Sequence, residues 1–337
     1  MATAREWIEG ARLRTLPASI APVLVGTAVA WFAPTYATGG VFHDIRNWRG
    51  SAIILLLCLV VALGFQIGSN FANDYSDGIR GTDDVRVGPM RLVGSGAASP
   101  GQVKWAAWIS FGVACVAGLV LVLPFVLSAW QRGVGLVVPL VLVVVGLACV
   151  LAAWYYTGGK HPYGYVGLGE VFVFVFFGLV ASMGTTFVQA PPSCDQSWEG
   201  TASWGCGPGT PWLAAGETGV MMGCFATAIL VANNLRDLAS DQASDKITLP
   251  VRLGDRRTRV FYVALIVVAE LCLLALAAQT SWWVLLGLLG LLALVRSLRA
   301  VLGGAKALAL IVVLRWTGLA QLLTAVLIAL GLWIGAR

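Results

Sequence analysis

Apolar residues in this chain run unbroken for about twenty positions at a time, then give way to short stretches of charge, Gly and Pro. A run such as Gly133 to Tyr156 can cross a hydrocarbon layer roughly 30 Å thick as one helix. The pattern predicts nine spans: Leu16 to Thr38, Ser51 to Phe71, Trp105 to Ala129, Val134 to Tyr156, Tyr165 to Ala190, Trp212 to Ala232, Val260 to Ala278, Ser281 to Val295 and Ala307 to Ile334. The runs are continuously apolar, not alternating, which excludes a strand barrel. The expected fold is all-α, a polytopic membrane protein forming a single integral-membrane domain over residues 1–337.

Composition agrees. Of 337 residues, 58% are hydrophobic and only 11% charged, with a mean hydropathy of +0.84, too apolar for a soluble globular surface. The net charge of +6 would suggest nucleic acid in a soluble domain, but here the basic residues lie in short loops between spans, so no nucleic-acid partner is expected. Seventeen of the 22 Lys and Arg residues fall on one side of the predicted spans, which places the N-terminus and the basic loops in the cytoplasm and the protein in the cell membrane. Arg5, Arg12 and Arg14 precede an apolar run long enough to span, so the first run reads as a transmembrane helix and not a secretion signal.

Cysteine and histidine narrow the chemistry further. Five of the seven cysteines lie in apolar runs at no metal-ligand spacing, and Cys194 and Cys206 share one external loop where a disulfide would be structural. The only histidines, His43 and His161, are far apart, so a histidine-rich zinc, iron or haem site lacks ligands. Any metal should be a hard, oxygen-bound ion.

The acidic residues are clustered. Asp74, Asp77, Asp83 and Asp84 fall in NDYSDGIRGTDD, and Asp237, Asp241 and Asp245 in NNLRDLASDQASDK. At 100° per residue, Asn234, Asp237, Asp241 and Asp245 share one helical stripe about 80° wide, and so do Gln66, Asn70, Asp74 and Asp77. Gly78 and Gly81 should end the first helix and leave Asp83 on a loop. The motifs belong to two cytoplasmic loops, 72–104 and 233–259, at matching places in the chain. Carboxylates stacked four apart repel, more so at a membrane boundary, and call for a cation. Mg²⁺ suits such oxygen donors and is commonly shared with substrate phosphates. Arg80, Arg86 and Arg91, Lys160, and Arg236, Lys246 and Arg252 stand beside the stripes as candidate phosphate contacts. Ordinary ion-paired loop charges would account for one such stripe, but less readily for two, each led by Asn, at parallel places. Glu270 and Arg315 lie inside spans and are expected to pair or to face the interior.

These motifs, with ARLRTLPASIAPVLVGTA at Ala11 to Ala28 and the stretches RVGPMRLVGSG, YYTGGKHPYGYVGLGE and FFGLVASMGTTFVQA, resemble the UbiA superfamily of intramembrane prenyltransferases, especially its naphthoate branch. The resemblance implies that Asn70, Asn73, Asp74 and Asp77 form a first Mg²⁺-diphosphate motif. Asp237 and Asp241 would form the second, with Asn234 and Arg236 beside it. Asp83 and Asp245 are further candidate ligands, although the family's third Asp would fall at Gly81. Tyr156 and Lys160 match a Tyr-and-Lys motif in which the Lys contacts diphosphate. The implied activity is Mg²⁺-dependent transfer, with two ions, of a chain from polyprenyl diphosphate to 1,4-dihydroxy-2-naphthoate in menaquinone biosynthesis. The tail would lie in membrane lipid, and Tyr156, Trp154, Tyr155 or Phe71 would shield a carbocation by cation-π contact. Another aromatic acceptor, such as 4-hydroxybenzoate, is the alternative within this class. A cation-coupled transporter is the alternative outside it, and would place its acidic residues near the bilayer midplane. Tail length and oligomeric state are not encoded in these patterns.

Overall fold

A computed structural model describes residues 2–38, 48–81, 90–133, 135–190, 211–244 and 246–337. Every regular element among these residues is helical. A short helix α1 (Ala4–Gly10), closed by a capping box between Thr3 and Glu6, leads through a corner at Arg12 into α2 (Pro17–Thr38). Then follow α3 (Trp48–Ile79), α4 (Pro100–Arg132), α5 (Val137–Tyr155), α6 (Gly169–Gln189), α7 (Trp212–Arg236), the short α8 (Leu238–Ala243), α9 (Leu249–Gln279), α10 (Trp282–Leu302) and α11 (Ala307–Gly335). Eight helical segments are long and apolar enough to cross a membrane, and the α1–α2 pair, bent by 52°, brings the number to nine among the described residues. This is the architecture expected from the apolar runs: a multi-span membrane protein.

Local sequence explains the limits. Ser99 and Gln102 form a capping box ahead of Pro100 at the start of α4, and Gly133, at φ 65°, ends it in the left-handed conformation. Several helices outrun the predicted spans: α4 begins at Pro100 and α9 at Leu249, α10 runs on to Leu302, and, at the site, α3 continues past Phe71 to Ile79 and α7 past Ala232 to Arg236. The α3 extension carries Asp74 and Asp77, and the α7 extension carries Asn234 and Arg236 and leads into Asp237. In α9 the helix is broken at Gly254 (φ 74°), which lets Asp255 hydrogen-bond Arg259 one turn later.

Packing divides the helices into two groups. Helices α2, α7, α9, α10 and α11 share one apolar core, with Phe225, Met221, Met222, Tyr262 and Leu332 fully buried. Helices α1, α3 and α4 share a second, around Phe71, Leu92 and Phe111. In lipid there is little apolar gain from helix association, so close backbone approach carries much of the attraction. Gly178 of α6 lies directly against α7, where an added Cβ would sit 2.4 Å from the Gly223 Cα. Helix α6 contains a π-helical segment, Phe174–Val180, at this contact. Helix α5 packs on α3 and α4, and makes little contact with the α6 that follows it.

Two expectations need correction. The second acidic stripe is not on one continuous helix: Asp237, at φ −90° and ψ 6°, closes α7, and α8 restarts after it. Arg315 neither pairs with Glu270 nor faces the interior but is exposed, whereas both Glu270 carboxylate oxygens are buried, the interior-facing alternative, with no hydrogen-bond partner among the described residues. Cys194 and Cys206 lie outside the described residues. Replacing Gly178 with Leu should overpack the α6–α7 contact and cost about 1–3 kcal/mol, read as a lowered Tm of the detergent-solubilised protein.

Candidate active site

The first motif is built on the end of α3. Gln66, Asn70, Asp74 and Asp77 are all buried, as expected of one stripe facing inward. The upper half of the stripe ties α3 to the N-terminal segment: Gln66 accepts from Ser19 Oγ at 2.9 Å, and the Asn70 amide donates to the Ala11 carbonyl at 2.9 Å. Asn73 accepts from Thr157 Oγ1 at 2.9 Å, which fixes the loop after α5. Asp74 accepts the backbone N–H groups of Leu92 and Val93. Asp77 accepts a hydrogen bond from the Tyr165 hydroxyl at 2.8 Å and lies 3.6 Å from Arg91.

The second motif turns a corner. Asn234, Arg236, Asp237 and Asp241 are buried. The Arg236 guanidinium donates to both oxygens of Asp237, at 2.7 and 2.6 Å. Asp241 lies 3.7 Å from the Lys246 ammonium and accepts from Thr248 Oγ1 at 3.3 Å. Asn234 donates to the buried Glu170 carboxylate at 2.9 Å, joining α7 to the start of α6.

Tyr165 joins the two motifs. Its hydroxyl reaches Asp77, its ring lies 5.3 Å from the Arg80 guanidinium and 5.1 Å from the Lys246 ammonium, and its carbonyl accepts the Ile247 N–H at 2.9 Å. Arg80 donates to the Thr157 and Gly159 carbonyls, and Arg252 to the Val166 carbonyl at 2.9 Å, so both hold the connection between α5 and α6 in place. Lys160 stands exposed on that connection. Tyr156 closes it, its ring 5.5 Å from Tyr163. Burial pushes the Tyr156 phenol well above its usual range, and the nearby charges of Glu170, Asp77 and Asp241 add to the shift. Its hydroxyl therefore stays protonated at neutral pH. Of the other candidate cation-shielding rings, Phe71 packs on Trp7, Trp154 stacks on Trp108 and Tyr155 is exposed. Asp83, Asp84, Arg86 and Asp245 lie outside the described residues.

Tyr165, Glu170 and Thr248 hydrogen-bond Asp77, Asn234 and Asp241, contacts that motif spacing does not reveal. Tyr165 and Glu170 stand in the YYTGGKHPYGYVGLGE stretch, and the entry of a carboxylate into an apolar span was the available signal for Glu170.

The donor set suits Mg²⁺ in one specific way. Every candidate ligand is a carboxylate or amide oxygen, as a hard cation prefers. Among the described residues no three acidic, His or Cys side chains are grouped closely enough to form a metal cage. One or two carboxylates per ion, completed by water and phosphate oxygens, fit an ion that arrives with a diphosphate. Asp77, Asp237 and Asp241 would hold it.

Residues 19–309 match the UbiA prenyltransferase family. The chain belongs to this family. It is 45% identical to the 1,4-dihydroxy-2-naphthoate octaprenyltransferase of Mycobacterium tuberculosis, covering 99% of each chain, and 34% identical to that of Escherichia coli, covering 97% of this chain and 95% of the relative. A UbiA homologue from Archaeoglobus fulgidus, solved with DMAPP and Mg²⁺ bound, has the same fold at a TM-score of 0.55 and 10% identity, over 96% of this chain and 98% of the other. The protein is thus a membrane prenyltransferase of the UbiA type. Tyr165→Phe, which keeps the ring but loses the hydrogen bond to Asp77, is expected to lower kcat/KM about tenfold, and Tyr165→Ala to lower it further, in a prenyl-transfer assay.

Proposed function

We propose that this protein transfers a polyprenyl chain from an allylic polyprenyl diphosphate to 1,4-dihydroxy-2-naphthoate, releasing diphosphate and CO₂ and giving demethylmenaquinol for menaquinone biosynthesis. The observation that carries this reading is the meeting of two buried acid-base sets at Tyr165, within a chain closely similar over its whole length to enzymes named for this reaction.

Three buried or nearly buried carboxylates each have a cation beside them: Asp77 with Arg91, Asp237 with Arg236, and Asp241 with Lys246. Diphosphate and its metal form a complementary set of charges. Arg91, Arg236 and Lys246 would then hold phosphate oxygens, and Asp77, Asp237 and Asp241 would hold the metal. One cation set thus serves both states, so no charge is left uncompensated in a site walled by apolar helices. Bound Mg²⁺, with two ions as the working stoichiometry, supplies Lewis-acid neutralisation of the diphosphate.

The basic side chains then stabilise charge on the leaving group as the allylic C–O bond breaks and its electron pair goes to diphosphate. The neutral Tyr156 ring, with Tyr163 against it, lies beside the developing cation. The electron-rich naphthoate ring forms the new C–C bond at its carboxyl-bearing carbon, and loss of CO₂ returns the electron pair that restores aromaticity. The surrounding helices exclude the water that would trap the cation as an alcohol. The isoprenoid tail leaves through the seam between α5 and α6, where Tyr163, Phe172 and Phe176 form a row of rings with centroids 3.9 and 6.0 Å apart. The site mouth faces the cytoplasm from the cell membrane, a reading supported by the charge asymmetry of the loops.

Purified protein given radiolabelled polyprenyl diphosphate should form product with 1,4-dihydroxy-2-naphthoate and not with 4-hydroxybenzoate, and EDTA should abolish it. Product with 4-hydroxybenzoate alone would move the enzyme to another quinone route; no transfer to either would overturn the reading. Asp77→Asn and Asp241→Asn should each lower kcat/KM by a factor on the order of 10²–10³ and raise the Mg²⁺ concentration for half-maximal rate.

A further inference from the structure

The family motif groups Asp74 with Asp77, but the two carboxylates are used differently. Asp74 is completely buried. Its Oδ2 accepts the Leu92 N–H at 2.8 Å and its Oδ1 accepts the Val93 N–H at 3.0 Å, so both oxygens are committed to the backbone of a loop eighteen residues further on. Hydrogen bonds from N–H to an ionised acceptor are roughly twice as strong as neutral ones, and here there are two.

The loop is built to be held there. Ser95 N–H donates to the Arg91 carbonyl at 3.0 Å, Gly96 N–H to Val93 at 2.9 Å and Ala98 N–H to Leu92 at 3.0 Å, which closes residues 91–98 into a compact turn. Leu92 is completely buried, and its side chain occupies the space where a Cβ on Gly10 would stand, 2.6 Å from Leu92 Cδ1. Val93 takes the matching space at Gly78, where a Cβ would lie 2.4 Å from Val93 Cγ1. Two glycines, one on α1 and one on α3, thus make room for the two side chains whose amides Asp74 binds. Arg91 directly precedes them, and its guanidinium lies 3.6 Å from Asp77, one turn along α3 from Asp74.

We propose that Asp74 is a positioning residue: its carboxylate clasps the 91–98 loop to α3 and so sets the Arg91 guanidinium against Asp77 and the diphosphate, while the metal is left to Asp77 and the second motif. This rests on the diphosphate reading of Arg91 and Asp77.

The test compares Asp74→Ala, Leu92→Ala, Arg91→Gln and Asp77→Asn in full-length protein in detergent. It reads the KM for polyprenyl diphosphate, the Mg²⁺ concentration for half-maximal rate, and amide hydrogen exchange of residues 91–98 without Mg²⁺ or substrate. Asp74→Ala and Leu92→Ala should both raise the KM about tenfold, as Arg91→Gln does, leave the Mg²⁺ requirement within about twofold, and speed exchange of the loop about tenfold or more. Asp77→Asn should shift the Mg²⁺ requirement without loosening the loop. An Asp74→Ala protein whose Mg²⁺ requirement rises as far as that of Asp77→Asn, or whose loop exchanges at the wild-type rate, would overturn the proposal. Leu92 is no candidate ligand, so its variant carries the test if Asp74→Ala does not fold. If Arg91→Gln leaves the KM unchanged, it is the diphosphate reading that fails, and the exchange rates still decide whether Asp74 holds the loop.

Discussion

Carboxylates buried among apolar helices must be compensated where they stand, and this requirement organises the polar end of the bundle. Removing one partner of a buried ion pair leaves an uncompensated charge, a loss of about 3–5 kcal/mol. Each acidic group at the site therefore has a nearby donor: Arg91 and Tyr165 for Asp77, Arg236 for Asp237, Lys246 and Thr248 for Asp241, and two backbone amides for Asp74. Several of these donors come from the connections between helices, so compensation also fixes the path of the chain. The loop after α3 is drawn in by Asp74, and the α5–α6 connection is drawn in by Asn73 and Arg80.

The same logic relates the two helical groups. The α1, α3 and α4 core and the larger core around α7 are apolar and would each be satisfied in lipid alone. Helix α2 packs against α3 on one side and α7 and α11 on the other, and polar contacts at the α5–α6 connection reinforce the join at the site. Tyr165 is the smallest unit of that reinforcement, since its hydroxyl, ring and carbonyl each hold a different segment. The two acidic motifs are thereby held together where the halves meet, with the stacked rings of Tyr163, Phe172 and Phe176 running along α6 beside them.

Much of this was legible in the sequence because hydrophobic length and helical periodicity are properties of the chain itself. The order and number of the spans followed from the apolar runs, although several helices extend well beyond them into polar sequence, and the inward stripe from Gln66 to Asp77 followed from counting residues around a helix. What escaped were features set by contacts distant in sequence. Nothing in NNLRDLASD signals that the helix stops at Asp237, because that corner is stabilised by the Arg236 side chain folding onto its neighbour and by the packing of Asp241 against Lys246 and Thr248. Asp74 and Asp77 look equivalent by spacing, and only the return of Leu92 and Val93 separates them. Tyr165 lies in a Gly-rich stretch whose aromatic residues could equally have been an interfacial belt.

The π-helical segment of α6 bears on how such a protein can change over time. Each i→i+5 turn holds one more residue than an α-turn, so Phe174–Val180 acts as an insertion absorbed within a continuous helix. Before it, Glu170 binds Asn234 of α7; after it, Thr186 donates to the Gly26 carbonyl of α2 at 3.0 Å. The segment thereby uncouples the rotational phase of the two ends, allowing substitutions that suit the catalytic end to accumulate without twisting the packing of the other. Loss of a single residue from it would restore ordinary helical phase and force one end to surrender its partner.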